Sequence, residues 1–246
     1  MIPEILICGD SAVSVITGND ISLESNRLVL RLMKSFEQDP VKGIIETAPS
    51  YRALMIWYDP MIIGYEAICE EILQHAENMP VLDEKEQFVV EVPICYEGDD
   101  LAPDLQECAD LQGVSVEEVI RIHSGHLYYT YMVGMSPGHP YSARFEEPFN
   151  FQRRPVPRLK IPGRSVVVQK NLSDLIPFDQ PCGWNIIGTT PLDVTDFRKE
   201  DPFLVHEGQW VKYIPVSRSE YDRIREEVEN GTYQTVIRQK EAGEEE

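Results

Sequence analysis

Between Leu127 and Pro215 the chain carries a succession of short β-type runs, L-Y-Y-T-Y-M-V, R-S-V-V-V, W-N-I-I-G-T and W-V-K-Y-I, separated by stretches rich in Pro and Gly. A long helix cannot run through such punctuation, because each proline removes a backbone donor and each turn ends a periodic run. Short strands of this kind bury their apolar faces only by wrapping against one another. This region is therefore predicted to be a compact barrel or sandwich.

The alternating run F-V-V-E-V-P-I over Phe88–Ile94 reads as the first strand of that unit. Pro103 opens a helix over Asp104–Leu111 that Gly113 stops, and Ser115 with Glu118 forms a capping box for the next. That second helix leads to the His123-Ser124 corner. The chain before this reads as a small α/β unit. A strand-like stretch over Ile5–Ile16 is interrupted at Gly9-Asp10, and Ser22 caps a helix over Leu23–Phe36 with Leu28, Leu32 and Phe36 on one stripe. Strands over Ile44–Thr47 and Leu54–Tyr58 and a helix over Tyr65–Ala76 complete it. The order β-α-β-β-α suits an antiparallel sheet with helices on one side. Met79–Gln87, polar around Pro80, reads as a linker. At the other end, Ser217 or Ser219 caps an amphipathic helix over Glu220–Asn230, and the acidic tail beyond it is expected to be frayed. The expected organisation is α+β: residues 1–80, 81–216, and a terminal helix and tail over 217–246.

Forty-two acidic against twenty-two basic residues give a net charge of −20, which excludes the clustered positive charge that nucleic-acid binding needs. The five cysteines, Cys8, Cys69, Cys95, Cys108 and Cys182, form neither a C-x-x-C pair nor a zinc-ribbon spacing. Reduced thiols in a cytoplasmic protein are expected. No apolar segment is long enough to span a bilayer and no secretory leader pattern is present, so no membrane partner is expected.

The candidate site lies in Ile120–Tyr141, I-R-I-H-S-G-H-L-Y-Y-T-Y-M-V-G-M-S-P-G-H-P-Y. His123 titrates near neutrality and suits acid–base work or hydrogen bonding to a substrate; the plainer alternative is a histidine just past a helix, meeting its free carbonyls. His126 lies three residues on, but no third ligand is apparent and no metal site is expected. Tyr129 and Tyr131 share one strand face and Tyr128 takes the other. The loop from Gly134 through Pro137-Gly138-His139-Pro140-Tyr141 is either a plain turn or a binding loop. Arg153, Arg154, Arg158, Lys160 and Arg164 are the one basic cluster in an acidic chain. They suit a bound carboxylate or phosphate, or else neutralise nearby acids. No Walker A, G-x-G-x-x-G or G-x-S-x-G motif occurs.

The His-Ser pair, the Y-x-x-Y-M-x-G run and the Pro-Gly-x-x-Tyr loop recur in this order in the 5-oxoprolinase B-subunit family, also called KipI or allophanate hydrolase subunit 1, and the chain resembles that family along most of its length. Y-R-A-L-M-I-W-Y-D-P at Tyr51–Pro60, V-E-V-P-I-C-Y at Val90–Tyr96, V-S-V-E-E-V-I-R-I-H-S at Val114–Ser124 and C-G-W-N-I-I-G-T-T-P at Cys182–Pro191 carry the resemblance. It implies a small α/β domain followed by a cyclophilin-like β-barrel. It also implies a C-type partner of the same fold type, working together with an A-type component. It further implies ATP-dependent opening of a lactam, 5-oxoproline, to glutamate, with ATP as co-substrate of the complex and no tightly bound cofactor. Within that frame His123, Tyr131 and Arg158 are the expected catalytic residues, and Pro137, Gly138, His139, Tyr141, Arg153, Gly183 and Trp184 the expected substrate-binding ones. The resemblance leaves two alternatives open, a non-catalytic inhibitor of a histidine kinase and a carboxyltransferase component of a biotin-dependent carboxylase.

The chain departs from the family at one loop. Where relatives read G-S-V-G-I-A-G-G-Q-T-G-I-Y-P, this chain has Arg164 through Pro177, with most glycines replaced. Likewise His139 stands where the usual reading is Pro-Gly-Phe, and Thr189 where an Arg is expected. The change points to an altered substrate or to a subunit without chemistry of its own.

Overall fold

The computed structural model describes residues 3–81, 87–142, 150–241 and 243–244. The chain divides into two compact units, Met1–Glu86 and Gln87–Glu246.

In the first unit, strands β1 (Glu4–Ile7), β2 (Ala12–Ile16), β3 (Ile44–Pro49) and β4 (Ala53–Tyr58) form an antiparallel sheet in the order β1-β2-β4-β3, with helices α1 (Leu23–Gln38) and α2 (Tyr65–Glu77). The interruption at Gly9-Asp10 is a hairpin turn: Gly9 takes φ +74°, and the single strand expected there is two strands paired from Ile7 with Val13 outward. Ser22 caps α1 by accepting from the Ser25 amide at 3.2 Å. One sheet face supplies Val13, Val15, Leu54 and Ile56, and the helices supply Val29, Leu32, Phe36, Ile68 and Ile72, all fully or almost fully buried. Alternation along the strands sends these residues to one side, so both helices pack there. Met79 and Pro80 are held by the Arg31 guanidinium, at 3.3 and 2.7 Å from their carbonyls. The rest of the linker expected there, residues 82–86, lies outside the described residues.

The second unit holds strands β5 (Phe88–Cys95), β6 (Leu127–Val133), β7 (Pro140–Ser142), β8 (Arg158–Ile161), β9 (Ser165–Gln169), β10 (Leu172–Leu175), β11 (Gln180–Cys182), β12 (Asn185–Thr189), β13 (Trp210–Val216) and β14 (Ile237–Gln239). Helices α3 (Leu105–Gln112), α4 (Val116–Gly125) and α5 (Arg218–Glu229) accompany them. Its main sheet runs β10-β9-β12-β5-β13-β6-β7, with β14 on β5 and a separate β8–β11 ribbon. Strands β5 and β13 run parallel, in register from Val89 with Trp210 to Cys95 with Val216. The sheet curls into a nearly closed, cyclophilin-like barrel. Its end strands meet where the Ser142 amide donates to the Asp174 carboxylate at 3.3 Å. The interior is filled by Val90, Val92, Ile94, Val166, Val168, Leu175, Ile187 and Val211, and joined by Leu105, Cys108, Ala109 and Val119 from α3 and α4.

Three local expectations change. Helix α4 continues through Gly125, so His123 lies inside its last turn rather than beyond it. The tail returns to the sheet as far as it is described: β14 pairs with Phe88–Val90, and Arg238 reaches Glu91 at 2.9 Å and Glu244 at 2.5 Å, while residues 242, 245 and 246 of the segment expected to fray lie outside the described residues. The segment aligned with the family's glycine-rich loop is a β-hairpin, β9 turning into β10 at Lys170-Asn171. Arg164 and Lys170, both at glycine positions of the family pattern, have φ of +71° and +53°. The backbone at these two positions takes the conformation that glycine favours, with other residues in place.

Candidate functional site

Ser115 accepts from the Glu118 amide at 3.2 Å and starts α4 in the orientation that carries His123 into the barrel. His123 is only 2% exposed. Its Nδ1 lies 2.7 Å from the Tyr96 hydroxyl and its Nε2 2.7 Å from Ser173 Oγ. The Tyr128 hydroxyl donates to the His123 carbonyl at 2.8 Å, and the Tyr213 ring stacks on the imidazole at 4.6 Å. Burial, reinforced by neighbouring His126, lowers the His123 pKa to about 3, so the ring is neutral at pH 7, donating at one nitrogen and accepting at the other. Burial likewise lowers His126 to about 4, with Lys212 adding to the effect, and raises the Tyr96 and Tyr128 phenols well above their ordinary range. The arrangement is a neutral hydrogen-bond hub.

Strand β10 joins this hub to a second polar group. Successive residues of a strand face opposite ways, so Ser173 meets His123 while Asp174 turns to the seam with β7. There Asp174, 4% exposed, lies with Oδ2 3.6 Å from Nε2 of His139, itself 6% exposed. His139 stacks on Tyr141 with ring centres 4.8 Å apart. The loop that delivers His139 depends on Gly138: φ is +79°, and a Cβ there would fall 1.8 Å from Thr195 Oγ1, which donates to the Pro137 carbonyl at 2.9 Å. Ser136 Oγ donates to Gln180 on β11 at 2.8 Å.

The basic cluster is arranged around an acid that the sequence showed only as a helix start. Asp104 is 2% exposed and accepts from Arg158 at 2.6 and 2.8 Å, from Arg154 at 2.9 Å and from the Ile186 amide at 2.7 Å. The bidentate contact with Asp104 raises the Arg158 pKa. Arg154 also reaches Glu107 at 3.2 Å, Lys160 pairs with Asp179 at 2.7 Å, and Arg164 donates to the Tyr221 hydroxyl at 3.1 Å. Arg153 differs. It is exposed, and its guanidinium lies over Gly183, where an added Cβ would fall 2.5 Å from Arg153 Nε. Trp184 packs beside it against Ile161, Val167, Ile176 and Ile186.

Of the residues singled out in the sequence, the structure gathers Pro137, Gly138, His139 and Tyr141 at the seam, and sets Arg153 over Gly183, which with Trp184 forms the turn between β11 and β12. His123 sits on the other side of β10. Tyr131 packs edge-on against Tyr129, which in turn meets Trp210, away from the hub. Asp104, Ser173 and Asp174 are the residues that sequence reasoning missed. Among the described residues, no three His, Cys, Asp or Glu side chains converge as metal ligands, and no helix is long and apolar enough to cross a membrane.

Residues 3–205 match the family described as carboxyltransferase domain, subdomain C and D. The chain is 31% identical over 229 residues to the B subunit of 5-oxoprolinase from Bacillus subtilis (strain 168), covering 89% of this chain and 95% of that one. The crystal structure of TTHA0988 is similar with a TM-score of 0.73 and 31% identity over 83% of this chain, which spans only 40% of that protein. Urea carboxylase of Kluyveromyces lactis shares the fold, with a TM-score of 0.74 at 17% identity over 97% of this chain and 24% of the larger enzyme.

Proposed function

This chain belongs to the family of the carboxyltransferase domain, subdomains C and D, and on that footing we propose that it is the B-type subunit of an ATP-dependent 5-oxoprolinase-type complex. In this reading it acts with a C-type partner of the same fold type and an A-type subunit, and the complex opens the lactam of 5-oxoproline to glutamate. The observation that carries the reading is the match to the Bacillus subtilis B-type subunit over nearly the full length of both chains.

The chain's own residues suit a substrate that is a carboxylate with an adjoining amide. Arg153 presents an exposed guanidinium, and the lack of a side chain at Gly183 leaves room for that guanidinium to lie over the backbone, from where it can meet an anion. Arg158, expected from the sequence to be catalytic, has its charge satisfied by Asp104, and we assign it to holding α3 against β12. His123 is likewise assigned a positioning role: neutral and held at both nitrogens, it fixes Ser173 and with it the course of β10. Tyr131 is placed in the aromatic packing of the outer face. ATP enters as a co-substrate of the whole complex.

The test is reconstitution. Co-expressed with its C- and A-type subunits, the chain should support formation of glutamate and ADP from 5-oxoproline and ATP, and Arg153→Ala should raise KM for 5-oxoproline about tenfold or more, the worth of one charge-assisted contact. A correctly assembled complex with no turnover refutes the assignment.

A further inference from the structure

The seam between β7 and β10 concentrates buried polar atoms without partners: both ring nitrogens of His139, Ser142 Oγ and Thr130 Oγ1. Thr130 and Ser142 face each other across the β6–β7 ladder, the Ser142 amide reaches Asp174 Oδ1, and Asp174 Oδ2 lies 3.6 Å from His139 Nε2. His139 and Asp174 share the face of β7 that carries Tyr141, while the Ser142 and Thr130 hydroxyls turn to the other face. Native interiors satisfy nearly all such atoms, and a group of them in one place calls for a partner. The His139–Asp174 separation is instructive, since 3.6 Å is too long for a hydrogen bond between them. It leaves a buried donor and acceptor side by side and not bonded to each other. Among the described residues, β7 and β10 form no ladder, so the edge is not closed by backbone pairing.

We propose that His139 and Asp174 form a donor–acceptor clamp for an uncharged cis-amide edge, an N–H lying beside a C=O, as in a lactam or a cyclic ureide. The ligand's N–H donates to Asp174 Oδ2 and its carbonyl accepts from the His139 ring. A trans amide does not fit, because its N–H and C=O point in opposite directions. A carboxylate is rejected by the Asp174 charge, so an acidic substituent must point away from the pair. The proposal rests on reading the protein as a lactam-opening subunit and adds the residues that recognise the amide.

The intact chain, labelled with ¹⁵N-histidine, is titrated with 2-pyrrolidinone, with hydantoin and with N-methyl-2-pyrrolidinone, following the His139 imidazole resonances and the heat of binding. The clamp requires that 2-pyrrolidinone, hydantoin or both shift His139, that the N-methyl compound bind at least about tenfold more weakly, and that His139→Phe lose affinity by a similar factor, the worth of one hydrogen bond. Binding of 2-pyrrolidinone alone assigns the site to lactams, and of hydantoin alone to cyclic ureides. If neither binds, or if the N-methyl compound binds equally well, the proposal is overturned, and this comparison needs no variant that must fold. Turnover by the wild-type complex that His139→Phe leaves unchanged would remove the clamp and keep the subunit assignment. Binding by the chain with no turnover in the complex would do the reverse.

Discussion

Replacing Asp104 with Ala should be among the most damaging single changes in the second unit, and its cost can be worked from its contacts. The carboxylate holds two guanidinium groups and the Ile186 amide, at distances from 2.6 to 2.9 Å. Removing one partner of a buried ion pair typically costs about 3–5 kcal/mol, because the other is left uncompensated. The Arg154 and Arg158 side chains retain 28% and 29% exposure, so part of their charge can return to water and the lower end applies. The Ile186 amide has no such recourse; an unmet buried donor costs about 1–3 kcal/mol. A net loss of about 4 kcal/mol follows, or roughly 8–16 °C in the melting temperature of a unit this size. Asp104→Asn keeps an acceptor for Ile186 and should lose about half as much. Urea unfolding followed by tyrosine and tryptophan fluorescence measures both, and a double-mutant cycle with Arg158→Ala isolates the pair. An Asp104→Ala loss below about 1 kcal/mol, no larger than an exposed ion pair, would refute the reasoning.

The depressed pKa of His123 makes stability pH-dependent. The unfolded ring binds a proton below about pH 6.5 while the folded ring stays neutral to about pH 3. Stability is therefore full above about pH 6.5 and falls as pH drops toward 3, by up to about 1.4 kcal/mol per pH unit, and His123→Gln should flatten that slope in melting curves. Lys170 holds a positive φ at the first central position of the β9–β10 turn, where glycine is preferred. Lys170→Gly should accordingly raise stability by about 0.5–1 kcal/mol in denaturant unfolding, and a loss would contradict the strain argument. Gly183→Ala should displace the Arg153 guanidinium and raise KM for 5-oxoproline in the reconstituted complex, while leaving the melting temperature within about 2 °C of wild type because that side chain is exposed and can shift.

Elements set by local signals were legible in the sequence. Ser22 and Ser115 start the helices they were expected to start, and the run L-Y-Y-T-Y-M-V is strand β6. The family's motifs carried the barrel, which spacing alone left as barrel or sandwich. What stayed hidden depends on distant partners. Asp104 gives no local hint of Arg158, 54 residues away, and the parallel pairing of β5 with β13 joins segments that sequence patterns treat as unrelated. Ser173 and Asp174 were overlooked because the loss of glycines made their segment look like a rewritten loop, whereas it is a regular hairpin whose β10 residues alternate between two faces. The buried Asp104 is also why the basic cluster read equally well as a ligand site or as a set of internal counter-ions.

Strand β10 places a hydroxyl and a carboxylate on neighbouring residues, one turned to each histidine. This makes the length of the hairpin turn a parity constraint. Deleting a single residue at Lys170-Asn171 would bring the Asp174 carboxylate against the neutral His123 and Leu175 opposite His139, and inserting one would put Leu172 against His123 and the Ser173 hydroxyl opposite His139. Two-residue changes would preserve the facing and shift it only along the barrel axis. Length variation in this turn should therefore come in even steps, even though the residues of the turn itself touch neither histidine.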